Sequence, residues 1–469
     1  MEFTHAERLS ALDASFLALE DANCHMHIGA AAIFEAGPLR TPEGGIDIDR
    51  IQTLMERGMY RIPRYRQKLA HVPLFGHPVW VDDDRFNLAY HVRHTHLPLP
   101  GDDRQLKRLV GRLMSQQLDR GKPLWEMWVI EGLEGDRLAI VTKVHHCMID
   151  GIGSVELTGS VMRPTPDHDP RLDEPAPRWV PRPAPRSVDL LLREVTHRAR
   201  TPLTAMEGLR RLLGDPRQAL ETTTDTARGV VEAVTGGLSP APASPLNVDV
   251  GPHRRFDWTV MDLEAIRALK GEAGGTVNDV VLAILSGALR RFLYRRGTPS
   301  EGLDFRAMIP VNVRRADEQH DLGNRVAMLV VHLPLDEADP RARLARVIAE
   351  TQRMKHSQQA AGVRAIEELS NQLFTALFTE FGRLAAYAHP FNLVVTNVPG
   401  PQMPVYIEGA KMLACYPLVP LFRNQALGVA LFSYDGRLYW GFNADWDALP
   451  DLHDLVLAVD GEFRAMTGS

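Results

Sequence analysis

The chain has 469 residues, 45% of them apolar and 24% charged, which is enough for two domains that each bury a core. Its 53 basic against 59 acidic residues give a formal charge of −6, which argues against a general nucleic-acid binder and leaves small molecules or a locally met surface as partners. Cys24, Cys147 and Cys415 are too few and too scattered for a disulfide framework, and the polar N-terminus lacks an apolar signal segment, so a reducing cytoplasmic setting is expected.

In chain order, residues 9–20 read as a short helix capped by Ser10, and residues 25–34 as a strand on which His25 and His27 share one face as structural histidines. Residues 47–58 are helical in pattern. Beyond them Arg61, Arg64, Arg66 and Lys68 interleave with Tyr60 and Tyr65, either as a solvated basic face or as a docking patch for phosphate or anionic lipid. Helical spacing of Leu106, Leu109, Val110 and Leu113 marks 105–119, and a strand containing Trp125 follows over 123–130. Trp125 reads first as a core aromatic.

The apolar, β-branched run 138–144 predicts a strand that ends at His145 and His146. Alternation sends the two rings to opposite faces, so one is anchored while the other looks into a cleft. An imidazole that titrates near neutrality suits a general base acting on a hydroxyl. Asp150, followed by the turn former Gly151, fixes the loop through a cation or nearby amides. No third ligand accompanies the histidines at a metal-binding spacing, so no metal is expected. Cys147 lies within this stretch, but nothing in the sequence lowers its thiol pKa.

Eight prolines in the 24 residues 163–186 make a linker. Leu190, Leu191, Val195, Leu203, Met206, Leu209, Leu212 and Leu213 then recur at roughly helical intervals among Arg193, Arg198, Arg200, Arg210, Arg211 and Arg217. The apolar face suits a brace across domains, with the arginines left to meet an anionic lipid surface. The break at 236–245 closes this insert, and Arg254 and Arg255 beyond it are candidate phosphate contacts.

Thr276 caps an apolar helix that runs to about Arg295, with Asp279 three residues later as an aspartate variant of the capping box. Strands are expected over 305–315 and 323–331, helices over 338–358 and 362–385, and a strand ending in a turn over 392–401. Thr396 and Asn397 at that strand end are hydroxyl and amide donors of the kind that steady an oxyanion, and equally ordinary turn formers. Residues 425–434 and 437–442, joined by Asp435-Gly436, form the clearest hairpin, and a helix over 450–466 ends the chain. No membrane span is expected: the charge-free stretch 384–407 holds Pro390, Pro399, Pro401 and Pro404.

The pattern His145-His146-x-x-x-Asp150-Gly151 resembles the active-site motif of the chloramphenicol acetyltransferase-like, acyl-coenzyme A dependent acyltransferases. Pro123-Leu124-Trp125, Asn278-Asp279 and Thr396-Asn397-Val398-Pro399-Gly400 narrow the likeness to the bacterial wax ester synthase/diacylglycerol acyltransferase family, over nearly the full length. The resemblance implies two α/β domains, at 1–160 and 250–469, joined by the crossover insert 161–249. It implies transfer of a long-chain acyl group from acyl-coenzyme A, a co-substrate rather than a resident cofactor, to diacylglycerol or a fatty alcohol. His146 is then the base, His145 and Asp150 support it, and Asn278, Asp279, Thr396, Asn397 and Trp125 are candidates for substrate or oxyanion contacts. Peripheral contact with the inner membrane face or lipid droplets follows from the acceptor.

A same-fold enzyme using carrier-protein or polyketide thioesters is the alternative, and a non-catalytic lipid-droplet protein is the reading from another class. His145-x-x-x-x-Asp150 also fits glycerol-phosphate acyltransferases, but their Glu-Gly-Thr-Arg partner is absent. A Gly-x-Ser-x-Gly elbow and a phosphate-cradling Gly-Lys loop are absent too.

Overall fold

A computed structural model of the protein describes residues 6–148, 161–168, 179–197, 241–312, 326–356 and 390–468. In the first part of the chain these form β1 (Glu7–Arg8), α1 (Ala11–Leu19), β2 (His27–Glu35), α2 (Ile48–Gly58), β3 (Gln67–His71), β4 (Pro78–Asp82), α3 (Leu88–His91), β5 (Val92–His96), α4 (Asp103–Met114), β6 (Trp125–Leu133) and β7 (Arg137–His145). A helix over 187–197, α5, lies in the insert. The remainder holds β8 (Arg254–Asp262), α6 (Leu263–Ala273), α7 (Val277–Arg295), β9 (Phe305–Asn312), β10 (Val326–Leu333), α8 (Pro340–His356), β11 (Leu393–Pro399), β12 (Tyr406–Ile407), β13 (Ala410–Leu418), β14 (Leu427–Tyr434), β15 (Arg437–Asp445) and α9 (Leu452–Thr467). The helix expected over 362–385 lies outside the described residues.

Two mixed six-stranded sheets organise the molecule, one ordered β12-β13-β2-β7-β6-β5 and the other β10-β9-β11-β14-β15-β8. β7 sits centrally in the first, and its sequence shows why. Leu138, Ala139, Ile140 and Val141 are all buried, so both faces of the strand are covered and its apolar run is nearly continuous. Tight approach to β2 depends on Gly29, where a Cβ atom would lie 2.2 Å from the Thr142 carbonyl oxygen.

β13 hydrogen-bonds antiparallel to the free edge of β2, so a strand from the C-terminal part completes the sheet that carries His145. Trp258 of β8 stacks on Tyr416 of β13 with centroids 4.5 Å apart, and both belong to the core formed by the first part of the chain. A second apolar core lies between α7, α9 and the other sheet.

Local chemistry sets the helix ends. Ser10 accepts from the Asp13 N–H at the start of α1, Asp102 and Gln105 form a reciprocal capping box on α4, and Thr276 and Asp279 do the same on α7. The Asp435-Gly436 hairpin has both residues at positive φ, 45° and 74°, as a tight turn between β14 and β15 requires.

The insert is anchored where it is described. Arg182 donates to Asp82 through its guanidinium and its backbone N–H, and Leu190 of α5 packs on Val79 and Val81 of the small β1-β4-β3 sheet and on Val72, just beyond β3. Val188, Leu192 and Val195 of the same helix are exposed. The rest of the expected amphipathic stretch lies outside the described residues.

Three members of the basic cluster after α2 make contacts within the protein, while Arg61 is exposed. Arg64 pairs with Glu7 at 2.6 Å, Lys68 pairs with Asp83 and Asp84, and the buried Arg66 lies over Tyr60 and donates to the Glu56 carbonyl. Arg254 is buried as well, donating to the Asn23 and Gly251 carbonyls, while Arg255 lies over Trp446. Both of these candidate phosphate contacts therefore serve packing between segments distant in sequence.

Candidate active site

Both histidines of the central stretch are placed by the neighbours of β7. The strand ends at His145, whose N–H donates to the Leu124 carbonyl just before β6 at 2.9 Å and whose register partner on β2 is His27. A 3₁₀ turn, His146–Met148, then begins, and the His146 N–H donates to the Met26 carbonyl at 2.8 Å. Backbone pairing on two sides thus fixes where the rings emerge.

His145 is fully buried. Its Nδ1 accepts the Cys147 N–H at 3.1 Å, so the ring proton belongs on Nε2, which lies 3.5 Å from Glu20 Oε2. Glu20, the C-cap of α1, also approaches His27 Nε2 at 3.3 Å and accepts from Arg120 Nε and Nη2 at 3.0 and 2.6 Å. Burial opposes the charge on Glu20, but the close approach of His145 and His27 and the Arg120 guanidinium overcome it, holding the carboxyl far below the usual carboxylate range. Burial pushes the neighbouring His27 down to about 3, against the pull of Glu20. The cluster is an ionised carboxylate set between His27 and His145, with the Arg120 guanidinium carrying the balancing charge.

His146 faces a different environment. Its ring stacks on Phe16 of α1, with centroids 3.9 Å apart and planes at 23°. Burial pushes its pKa down to about 4, so at neutral pH the imidazole is uncharged and can accept a proton. Its Nδ1 is buried with no hydrogen-bond partner among the described residues. Burial raises the adjacent Cys147 thiol far above its ordinary range, which keeps it protonated and unsuited to nucleophilic attack. Asp150 and Gly151 lie outside the described residues.

A second polar group forms on the other sheet. Asn278, in the first turn of α7, accepts a hydrogen bond from Asn397 of β11 at 2.8 Å, which leaves the Asn278 amide donors available. Thr396 precedes Asn397 and is partly exposed. Asp279 is turned inward: its carboxylate accepts from the Thr276 N–H and hydroxyl at 2.7 and 2.8 Å and from the Thr351 hydroxyl at 2.7 Å, and it is 2% exposed. The structure thus joins Asn278 to Asn397 and gives Asp279 to the helix cap. The described hydrogen bonds do not connect this group with His146.

Trp125 is a buried core residue. Its indole N–H donates to the Tyr65 carbonyl at 2.8 Å and its ring stacks on His91, with centroids 4.7 Å apart. It is in register with Val144, one residue before His145, and so lies on the opposite face of the sheet from the His145 ring.

Sequence reasoning missed Phe16 and Glu20. They stand four residues apart, Phe16 in α1 and Glu20 at its C-cap, and each lies against one of the two histidines. The one local signal is a glutamate closing an otherwise apolar helix, which then becomes buried. Among the described residues no group of three or more His, Cys, Asp or Glu side chains is arranged to hold a metal ion.

Residues 9–281 match the family model for the wax ester synthase/diacylglycerol acyltransferase catalytic domain, and residues 322–467 match that for the C-terminal domain of the same enzymes. A probable diacylglycerol O-acyltransferase of Mycobacterium tuberculosis is 32% identical over 464 residues, covering 96% of this chain and 94% of its own. An O-acyltransferase of Acinetobacter baylyi is 30% identical, covering 98% of this chain and 97% of its own. Among solved structures, the wax ester synthase/diacylglycerol acyltransferase from Marinobacter aquaeolei superposes with a TM-score of 0.66 at 27% identity, over 98% of this chain and all of that one.

Proposed function

The chain belongs to the bacterial wax ester synthase/diacylglycerol acyltransferase family and has its chloramphenicol acetyltransferase-like fold, and on that premise we propose how this acyltransferase works. The donor is a long-chain acyl-coenzyme A and the acceptor is the hydroxyl of diacylglycerol or of a long-chain fatty alcohol. The acyl group passes directly between them. His146 takes the hydroxyl proton as the oxygen attacks the thioester carbonyl. The C–S bond of the tetrahedral intermediate then breaks, and the imidazolium returns the proton to the departing coenzyme A thiolate. General-base help of this kind is worth about 10²–10⁴ in rate.

The observation that carries this reading is the state of His146: an uncharged imidazole, stacked on Phe16, with a buried ring nitrogen uncommitted among the described residues, in a family that makes esters. His145 is the anchored partner. Asp150 holds the loop that follows, and Asn278, with Thr396 and Asn397 beside it, supplies donors for the oxyanion. Asp279 acts in support, through the helix cap that presents Asn278. Trp125 contributes to the substrate site through the wall behind β6 and β7 rather than by direct contact.

Both acceptors are lipid-dissolved, so the enzyme meets them at a membrane or droplet surface. No described helix is long and apolar enough to cross a membrane, and the exposed Val188, Leu192 and Val195 of α5 support peripheral contact. The test is incubation with palmitoyl-coenzyme A and either hexadecanol or a diacylglycerol, following thiol release and ester mass. Ester with one or both acceptors is expected. Turnover of carrier-protein thioesters with none of acyl-coenzyme A would overturn the donor assignment.

A further inference from the structure

Resting on the reading of His146 as the base, we infer that Glu20 is a positioning residue for acyl transfer, acting through His145. The observation is a buried carboxylate at the end of α1, 3.5 Å from Nε2 of the histidine that immediately precedes the proposed base.

A carboxylate with 1% of its side chain exposed is expensive to keep charged, and a fold tolerates it when hydrogen bonds and an opposite charge compensate. Arg120 supplies the charge through two hydrogen bonds from the more exposed side. His27 and His145 occupy the inner side, at 3.3 and 3.5 Å. A helix end needs no such group for its own stability, since the Glu20 N–H already caps α1 through the Phe16 carbonyl.

Glu20 selects a tautomer. Its oxygens accept and do not donate, so it favours the form of His145 with the proton on Nε2. That form leaves Nδ1 free to accept the Cys147 N–H, the bond that fixes the backbone on the far side of His146. The opposite tautomer would set an N–H against an N–H at Cys147 and a bare nitrogen against the carboxylate. His146 lies between these anchored residues, and Phe16, one turn before Glu20 on α1, braces its ring directly. Helix α1 therefore sets both histidines, one by charge and one by stacking.

The test is a double-mutant cycle with kcat and KM measured for Glu20→Gln, His145→Gln and the double variant, beside His146→Ala. Glu20→Gln keeps the volume and removes the charge. It is expected to lower kcat about 10- to 100-fold, the penalty of a slightly misplaced reacting group, with KM for both substrates nearly unchanged. In the His145→Gln background the same change should cost less than about three-fold, because the route is already cut. Glu20→Asp, which retains the charge, should recover part of the loss. Wild-type kcat in Glu20→Gln while His146→Ala is inactive would overturn the inference alone, as would two independent losses that simply multiply. Full activity in His146→Ala would instead remove the base reading beneath it. Should Glu20→Gln fail to fold, nitrogen-15 NMR of labelled histidines in the wild type decides: His145 protonated on Nε2 is expected, and protonation on Nδ1 overturns the inference.

Discussion

Removing the Phe16 ring should shift the pH at which catalysis fails. Phe16 covers His146 at 3.9 Å, and burial holds that imidazole down at about 4, below its ordinary value of 6.5. Charging is what burial opposes, so the neutral, base-competent form persists to low pH and is lost as pH falls through the folded pKa. At about pH 5.5 roughly 97% of the wild-type group is neutral, whereas a fully hydrated imidazole would be roughly 9% neutral. Phe16→Ala admits water to one face, so its acid limb should rise by at least about one unit, to a limit of about 2.5. At full hydration, kcat/KM relative to wild type is then about ten-fold lower at pH 5.5 than at pH 8. The assay is kcat/KM for thiol release across pH 4.5 to 8.5, with folding checked by circular dichroism at each end. An acid limb in Phe16→Ala that coincides with the wild type would refute the claim that this stack sets the protonation state of His146.

Other substitutions separate chemistry from scaffolding. Asn278→Ala removes a candidate oxyanion donor and should lower kcat about 10²–10³-fold with little change in melting temperature. Asp279→Asn weakens the cap of α7 and the Thr351 bond, so a stability loss of about 1–2 kcal/mol in denaturant titration, with kcat within a few-fold of wild type, is expected. Trp125→Phe loses the bond to the Tyr65 carbonyl and should cost about 1 kcal/mol of stability without moving KM for either substrate. Acid should also destabilise the fold. His27 and His146 have folded values depressed to about 3 and about 4, so the unfolded chain binds their protons first and stability declines as pH drops below about 6.5. Glu20, with a folded value below its unfolded one, adds to the decline as pH falls below about 4.5. A urea midpoint that stays constant from pH 7 to 4.5 would contradict this assignment of protonation states.

Much of the site was legible because its parts are local. The apolar run of β7, the histidines at its end, the capping box of Thr276 and Asp279, and the Asp435-Gly436 hairpin each depend on neighbours within a few residues, where periodicity and turn chemistry act. What could not be read depends on tertiary contact. Glu20 looks like an ordinary helix end until α1 folds back and seals it against His145. The pairing of β13 with β2 joins segments from opposite ends of the chain, and nothing in the alternation of 410–418 names its partner strand. Trp125 reads from the sequence first as a core aromatic, and in the structure its indole donates to the Tyr65 carbonyl and its ring stacks on His91.

Ester formation by His146→Ala tests the central claim most directly. With palmitoyl-coenzyme A and the better acceptor at saturation, the account predicts a fall in kcat of about 10²–10⁴-fold, with an unchanged melting temperature. Turnover within about three-fold of the wild type would contradict it, because the proton would then have another acceptor.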